Sequence, residues 1–180
     1  MSSDGKTHRV QYTRYGGPDV LRLEPFTPAS PGPGQVLVRV RAAAANPMDG
    51  KIRRGEMRPM TGRRFPRGIG HDFAGVVEAV GAGVTHLQTG DAVFGMASLR
   101  GAGAFADVVV AEATAVARKP PALSFEKAAT LPVVAVTALQ ALRHADGLRP
   151  DAAIFVHGCL GAVGRSAVQL SRRSGAAVRR

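Results

Sequence analysis

The stretch from Asp151 to Ala177, DAAIFVHGCLGAVGRSAVQLSRRSGAA, restricts the folds open to this chain more than any other. Ala152 to His157 is a short apolar run containing Ile154, Phe155 and Val156, the composition of a buried parallel strand. Gly158, Gly161 and Gly164 follow. Ala162, Val163, Ala167, Val168 and Leu170 then recur at helical spacing until Gly175. Strand, glycine turn and helix in that order open a dinucleotide-binding unit, in which glycines let the backbone approach a pyrophosphate and the first helical turn receives its charge. The strict G-x-G-x-x-G is not met, because Cys159 occupies the first glycine position when the motif is aligned on its last two. A tight strand-to-helix turn of any α/β protein fits the same residues. Arg180 falls about where a second strand starts, so a ribose-contacting residue about 20 positions further on lies outside the sequence.

The remaining composition narrows the class. A chain of 180 residues, 45% hydrophobic and with 22 glycines, suffices for one compact domain or one and a half small ones. No apolar run reaches the roughly 18 residues of a membrane span; Ala128 to Leu142 is interrupted by Pro132, Thr137 and Gln140. The N-terminus carries no signal-peptide core, and a single cysteine excludes an internal disulfide or a cysteine-rich zinc lobe. The expectation is a reduced, cytoplasmic protein. The net charge of +11 is concentrated at Lys51, Arg53, Arg54, Arg58, Arg63, Arg64 and Arg67, opposed there only by Glu56. Nucleic acid is disfavoured as the partner, because only Phe65 supplies an aromatic and no nucleic-acid module surrounds the patch. A solvated loop, or a surface attracting a phosphorylated cofactor or acidic partner, accounts better for it.

Taken in order, Arg9 to Tyr15 and Val20 to Glu24 read as a hairpin about Gly16, Gly17 and Pro18. Gln35 to Ala43 alternates, with Val36, Val38 and Val40 on one face. Asn46 followed by Pro47 marks a helix start. Pro59 to Gly70 reads as loop, and Asp72 to Val80 as a strand in which Gly75 marks a bulge or a close approach. Short strands follow at Ala92 to Phe94, Ala104 to Val110 and Ala113 to Ala117. The first 118 residues thus form a β-rich barrel or roll. From Lys119 onward the pattern is helical: Ser124 caps one helix, Pro132 breaks it, and Val133 to Ala145 continues as another before the glycine stretch.

Several stretches then agree in order: YGGPDVL, GQVLVRVRAAAANPMDGKIRRG, GHDFAGVVEAVGAGV, GDAVFG, GAFADVVV, SFEKAATLPVVAVTALQAL and VHGCLGAVGRSAVQL. Together they resemble the medium-chain dehydrogenase/reductase superfamily, specifically its zinc-independent quinone oxidoreductase branch. The resemblance implies a mixed α/β protein, with a GroES-like β-barrel or roll over residues 1–118 followed by an incomplete Rossmann segment over 119–180. It implies NADPH as cofactor and hydride transfer to a quinone or an activated alkene. Asn46 and Thr137 match positions that approach the nicotinamide ribose and ring. Gly158, Gly161, Ala162, Val163 and Gly164 match the pyrophosphate turn. Lys51 falls where many members carry a tyrosine near the substrate, and a lysine there can polarise a carbonyl. Asn46 and Lys51 are therefore the candidate catalytic residues.

Zinc-binding relatives carry a cysteine at the position of Asn46 and a histidine matching His71, so no metal is expected here and His71 with Asp72 reads as a structural pair. Asp49 reads equally as a helix-start or a functional residue. The unpaired edges of the Ala152–His157 strand call for cover by a second copy or a separate chain. Rival readings are a non-redox binding protein, a cyclase or isomerase-type catalyst on the same scaffold, and an interaction subunit of a split reductase.

Overall fold

The computed structural model describes residues 6–100, 103–146 and 148–179, which form two compact units, Met1–Thr130 and Leu131–Arg180. The first unit contains strands β1 (His8–Tyr12), β2 (Arg22–Pro25) and β3 (Gln35–Ala44), then helices α1 (Pro47–Arg54) and α2 (Arg58–Thr61). Strands β4 (Arg67–Gly68), β5 (Asp72–Val80), β6 (Ala92–Met96), β7 (Val108–Glu112) and β8 (Val116–Arg118) follow, and helix α3 (Phe125–Ala129) closes the unit. The second unit holds α4 (Pro132–His144), β9 (Ala153–Phe155), α5 (Ala162–Arg173) and β10 (Ala177–Arg179).

The alternation in β3 sets the main sheet. Val36 and Val38 are fully buried and meet Phe73 and Val77 of β5, Val93 of β6, and Val109 and Ala111 of β7 in one cluster. Each such valine contributes about 1.5–3 kcal/mol by leaving water. The strand order is β7-β3-β5-β6-β8, antiparallel throughout. A separate sheet, β2-β1-β4, is tied to this one through residues 105–107: Val10 N–H donates to the Phe105 carbonyl, and the His8 carbonyl accepts from Asp107 N–H. Of the barrel or roll expected from the sequence, no closed barrel forms among the described residues. The described strands make a roll of two open sheets, with β7 and β8 at the edges of the larger one. Gly75 lies beside a register shift in the β3–β5 ladder, and a Cβ there would stand 2.0 Å from the Arg39 carbonyl oxygen. The close approach read from the sequence is what forms.

Helix α3 begins where Ser124 Oγ accepts the Lys127 N–H, and it packs Ala128 and Ala129 onto Ala74. The alanines at this contact bring helix and sheet close. The expected loop at Pro59 to Gly70 instead contains α2 and β4. Tyr12 pairs with Arg67 across β1 and β4, and Arg67 is buried, its Nη2 donating to the Thr61 and Gly62 carbonyls at the end of α2. A two-residue strand has no periodicity by which sequence could reveal it.

In the second unit, β9 and β10 pair in parallel, Ile154 opposite Val178, with α5 as the crossover. The second strand begins at Ala177, slightly ahead of the position near Arg180 expected from the sequence. The first strand is parallel as expected but not buried: Ala153 and Phe155 are exposed, Phe155 by 68%. Among the described residues β9 has one partner strand, and no layer covers that face. A strand needs both neighbours and a packed face to reach full burial.

Candidate functional site

The register of the main sheet builds one candidate site, within the first unit. Ala44 at the end of β3 stands opposite Asp72 at the start of β5, so the chain leaving β3 carries Asn46 past His71 and Asp72 before Pro47 begins α1. Asn46 has the extended backbone of an N-cap, and Asp49, at the third position of α1, reaches back to accept the Asn46 N–H through Oδ2 at 2.7 Å. The other Asp49 oxygen accepts from His71 Nδ1 at 2.6 Å. A carboxylate can only accept, so Nδ1 carries the hydrogen. Asn46 Nδ2 donates to Asp72 Oδ2 at 3.0 Å. His71 and Asp72 were expected as a structural pair at a strand start; His71 bonds Asp49 of α1, and Asp72 accepts from Asn46 at its cap. Asp49, His71 and Asp72 are all buried, and Asn46 is half-buried. His71 Nε2 is covered by protein and makes no hydrogen bond. The four residues form one polar chain, His71–Asp49–Asn46–Asp72, in which the link from Asp49 to Asn46 runs through the Asn46 main-chain N–H. Asp49 thus joins two roles that the sequence left open, helix start and site residue. Its partner is 22 positions away, beyond any local pattern.

Lys51 is exposed on α1, two positions from the buried Asp49 and so on the opposite face of the helix. The other cations of the patch divide. Arg53 Nε donates to the Gly16 carbonyl, Arg54 pairs with Glu56, and Arg58 lies over the Tyr15 ring at 4.6 Å. Arg67 is buried, while Arg63 and Arg64 are exposed. Burial pushes the Tyr12 phenol up to about 12, with the Arg67 guanidinium opposing the shift. Concavities of about 250 and 420 Å³ lie around Phe26, Thr27 and Pro28, with none of the candidate residues in their walls.

A separate candidate site lies within the second unit. Gly158 has φ +74°, a left-handed conformation, and its carbonyl accepts the Gly161 N–H at 3.0 Å. Gly161 is the N-cap of α5, and Ala162 and Val163 are exposed in its first turn, where main-chain N–H groups have no partner within the helix. No acidic residue occupies that turn. A Cβ on Gly164 would stand 2.3 Å from the Gly158 carbonyl oxygen, so the turn folds back onto its own helix only with glycine there. This cradle fits a pyrophosphate in shape and polarity. Thr137 is exposed on α4, its Oγ1 donating to the Val133 carbonyl at 2.6 Å, which leaves its oxygen lone pairs as acceptors. Cys159 is a half-buried free thiol in the turn.

Residues 32–121 match the alcohol dehydrogenase GroES-like domain. The chain belongs to that family, within the medium-chain dehydrogenase/reductase superfamily. It is 36% identical over 171 residues to the chloroplastic quinone-oxidoreductase homolog of Spinacia oleracea, covering 92% of this chain and 52% of that protein. The crystal structure of Escherichia coli quinone oxidoreductase complexed with NADPH superimposes with a TM-score of 0.80 at 34% identity, over 95% of this chain and 51% of that one. The CurK enoyl reductase structure gives a TM-score of 0.84 at 27% identity, over 96% and 53%. The chain spans about half the length of the quinone oxidoreductase relatives it matches.

Proposed function

We propose that the chain is part of a zinc-independent NAD(P)H-dependent oxidoreductase that reduces a quinone or an activated alkene. Residues 1–118 would face the substrate, and residues 119–180 would open the nucleotide-binding part. The observation that carries the reading is the turn at Gly158–Gly164, where a left-handed glycine and a glycine with no room for a Cβ leave the first N–H groups of α5 accessible. Gly158, Gly161, Ala162, Val163 and Gly164 hold the pyrophosphate, and Asn46 and Thr137 contact the nicotinamide ribose and ring. NADPH, when bound, supplies the hydride. The chain contributes orientation and exclusion of water, and Lys51 offers a cation to a substrate carbonyl. The likeness to an NADPH-complexed quinone oxidoreductase and to an enoyl reductase supports both the cofactor and the two acceptor classes. The exposed Phe155 and the single partner strand of β9 among the described residues support cover by a second copy of the chain or by a separate polypeptide. The test is NADPH consumption in the presence of a quinone and of an enone, with sedimentation of the same sample. Acceptor-dependent oxidation by a self-associated species is expected. Ligand binding indifferent to NADPH overturns the reading.

A further inference from the structure

Asn46 is useful to a ligand only if its carboxamide presents a defined end, since oxygen and nitrogen at that position have opposite hydrogen-bonding character. Three contacts bear on which end faces where. Nδ2 donates to Asp72 Oδ2 at 3.0 Å. The main chain of Asn46 is held by Asp49, whose second oxygen is in turn held by His71. The side-chain oxygen lies over the Asp49 N–H in a capping-box arrangement, but that N–H already donates to the Asn46 main-chain carbonyl at 3.0 Å, so the oxygen keeps acceptor capacity. Rotating the carboxamide by half a turn would set its oxygen against the Asp72 carboxylate, acceptor against acceptor, in a site where Asp72 is 1% exposed.

We propose that Asp72 is a positioning residue that locks the Asn46 carboxamide in one orientation, so that Asn46 offers an oxygen acceptor to a sugar hydroxyl of the bound nucleotide. The proposal rests on the reading that Asn46 contacts the cofactor, and it adds the residue that selects a hydroxyl donor over a carbonyl acceptor as the ligand group. In this role Asp72 acts through Asn46.

The test has two arms. In isotopically labelled wild-type chain without cofactor, a scalar coupling between Asn46 Nδ2 and the Asp72 carboxylate carbon reports the bond directly. Its presence supports the lock and its absence overturns it, and no variant has to fold. In the second arm NADPH is titrated against wild type, Asn46→Ala, Asp72→Ala and the double variant. Asn46→Ala is expected to weaken binding about tenfold and Asp72→Ala about three- to tenfold, with the double variant no weaker than Asn46→Ala alone. Multiplying effects would overturn the proposal, because Asp72 would then act by a route other than Asn46. A wild-type chain that binds NADPH with an Asn46→Ala variant of unchanged affinity refutes the contact with the cofactor. That result leaves the coupling measurement to judge the lock itself.

Discussion

The Asp49 carboxylate accepts the His71 Nδ1–H at 2.6 Å, with both side chains in the interior of the first unit. The same carboxylate holds the N–H of Asn46, so one acidic group joins the start of β5 to the start of α1. Asp49→Ala strands the buried His71 donor and the half-buried N–H of Asn46. A loss of about 3–5 kcal/mol in urea unfolding is expected, and Asp49→Asn, which can still accept one of the two bonds, should lose less. Equal losses for the two variants would contradict this, because Asp49→Asn would then retain neither bond.

Tyr12 supplies the pH prediction. Its hydroxyl is buried without a hydrogen-bond partner, and burial raises the phenol from 10.0 to about 12 in the folded chain. Below pH 10 the folded and unfolded chains both carry the proton. Above it the unfolded chain releases the proton first, so stability falls as pH rises from 10 through about 12. The slope is about 1.4 kcal/mol per pH unit across that window. Tyr12→Phe removes the slope and, by deleting an unpartnered hydroxyl, should be neutral or stabilising by about 1 kcal/mol at neutral pH. Denaturant unfolding of both proteins across the alkaline range checks this, and an unchanged slope in Tyr12→Phe refutes it.

Two glycines of the α5 turn should respond differently to alanine. At Gly164 the added Cβ meets the Gly158 carbonyl oxygen at 2.3 Å, whereas at Gly161 its nearest neighbour is that same oxygen at 3.5 Å, ordinary van der Waals contact. Gly161 also has φ −73°, which alanine adopts freely. Gly164→Ala is therefore expected to weaken NADPH binding by at least about tenfold and Gly161→Ala by less than about threefold. Cofactor titration of the two variants decides it. Equal sensitivity would mean that the turn is not where the pyrophosphate sits.

Val36 and Val38, the strand from Asp72 to Val80 and the Asn46 cap were legible because each obeys a local rule: alternation, length, or a cap followed by proline. Arg67 was not. Its charge placed it with a surface patch, yet its pairing with Tyr12 buries it, and that pairing joins residues 55 positions apart. The His71–Asp49–Asn46–Asp72 chain was half legible. The residues stood out singly, but their partners depend on the β3–β5 register, which no spacing along the sequence encodes. Burial of β9 was overread for a related reason: an apolar run states what a strand can pack against, while Phe155 shows what the described residues provide.

The most direct test of the proposed function is a titration of NADPH against the purified chain, followed by nicotinamide fluorescence, with NADH in parallel. The sequence has no tryptophan, so the cofactor signal is read without an indole contribution. Saturable binding in the micromolar range, weakened in Gly164→Ala and Asn46→Ala, is the result expected. No saturable binding up to millimolar cofactor would contradict a nicotinamide site in this chain.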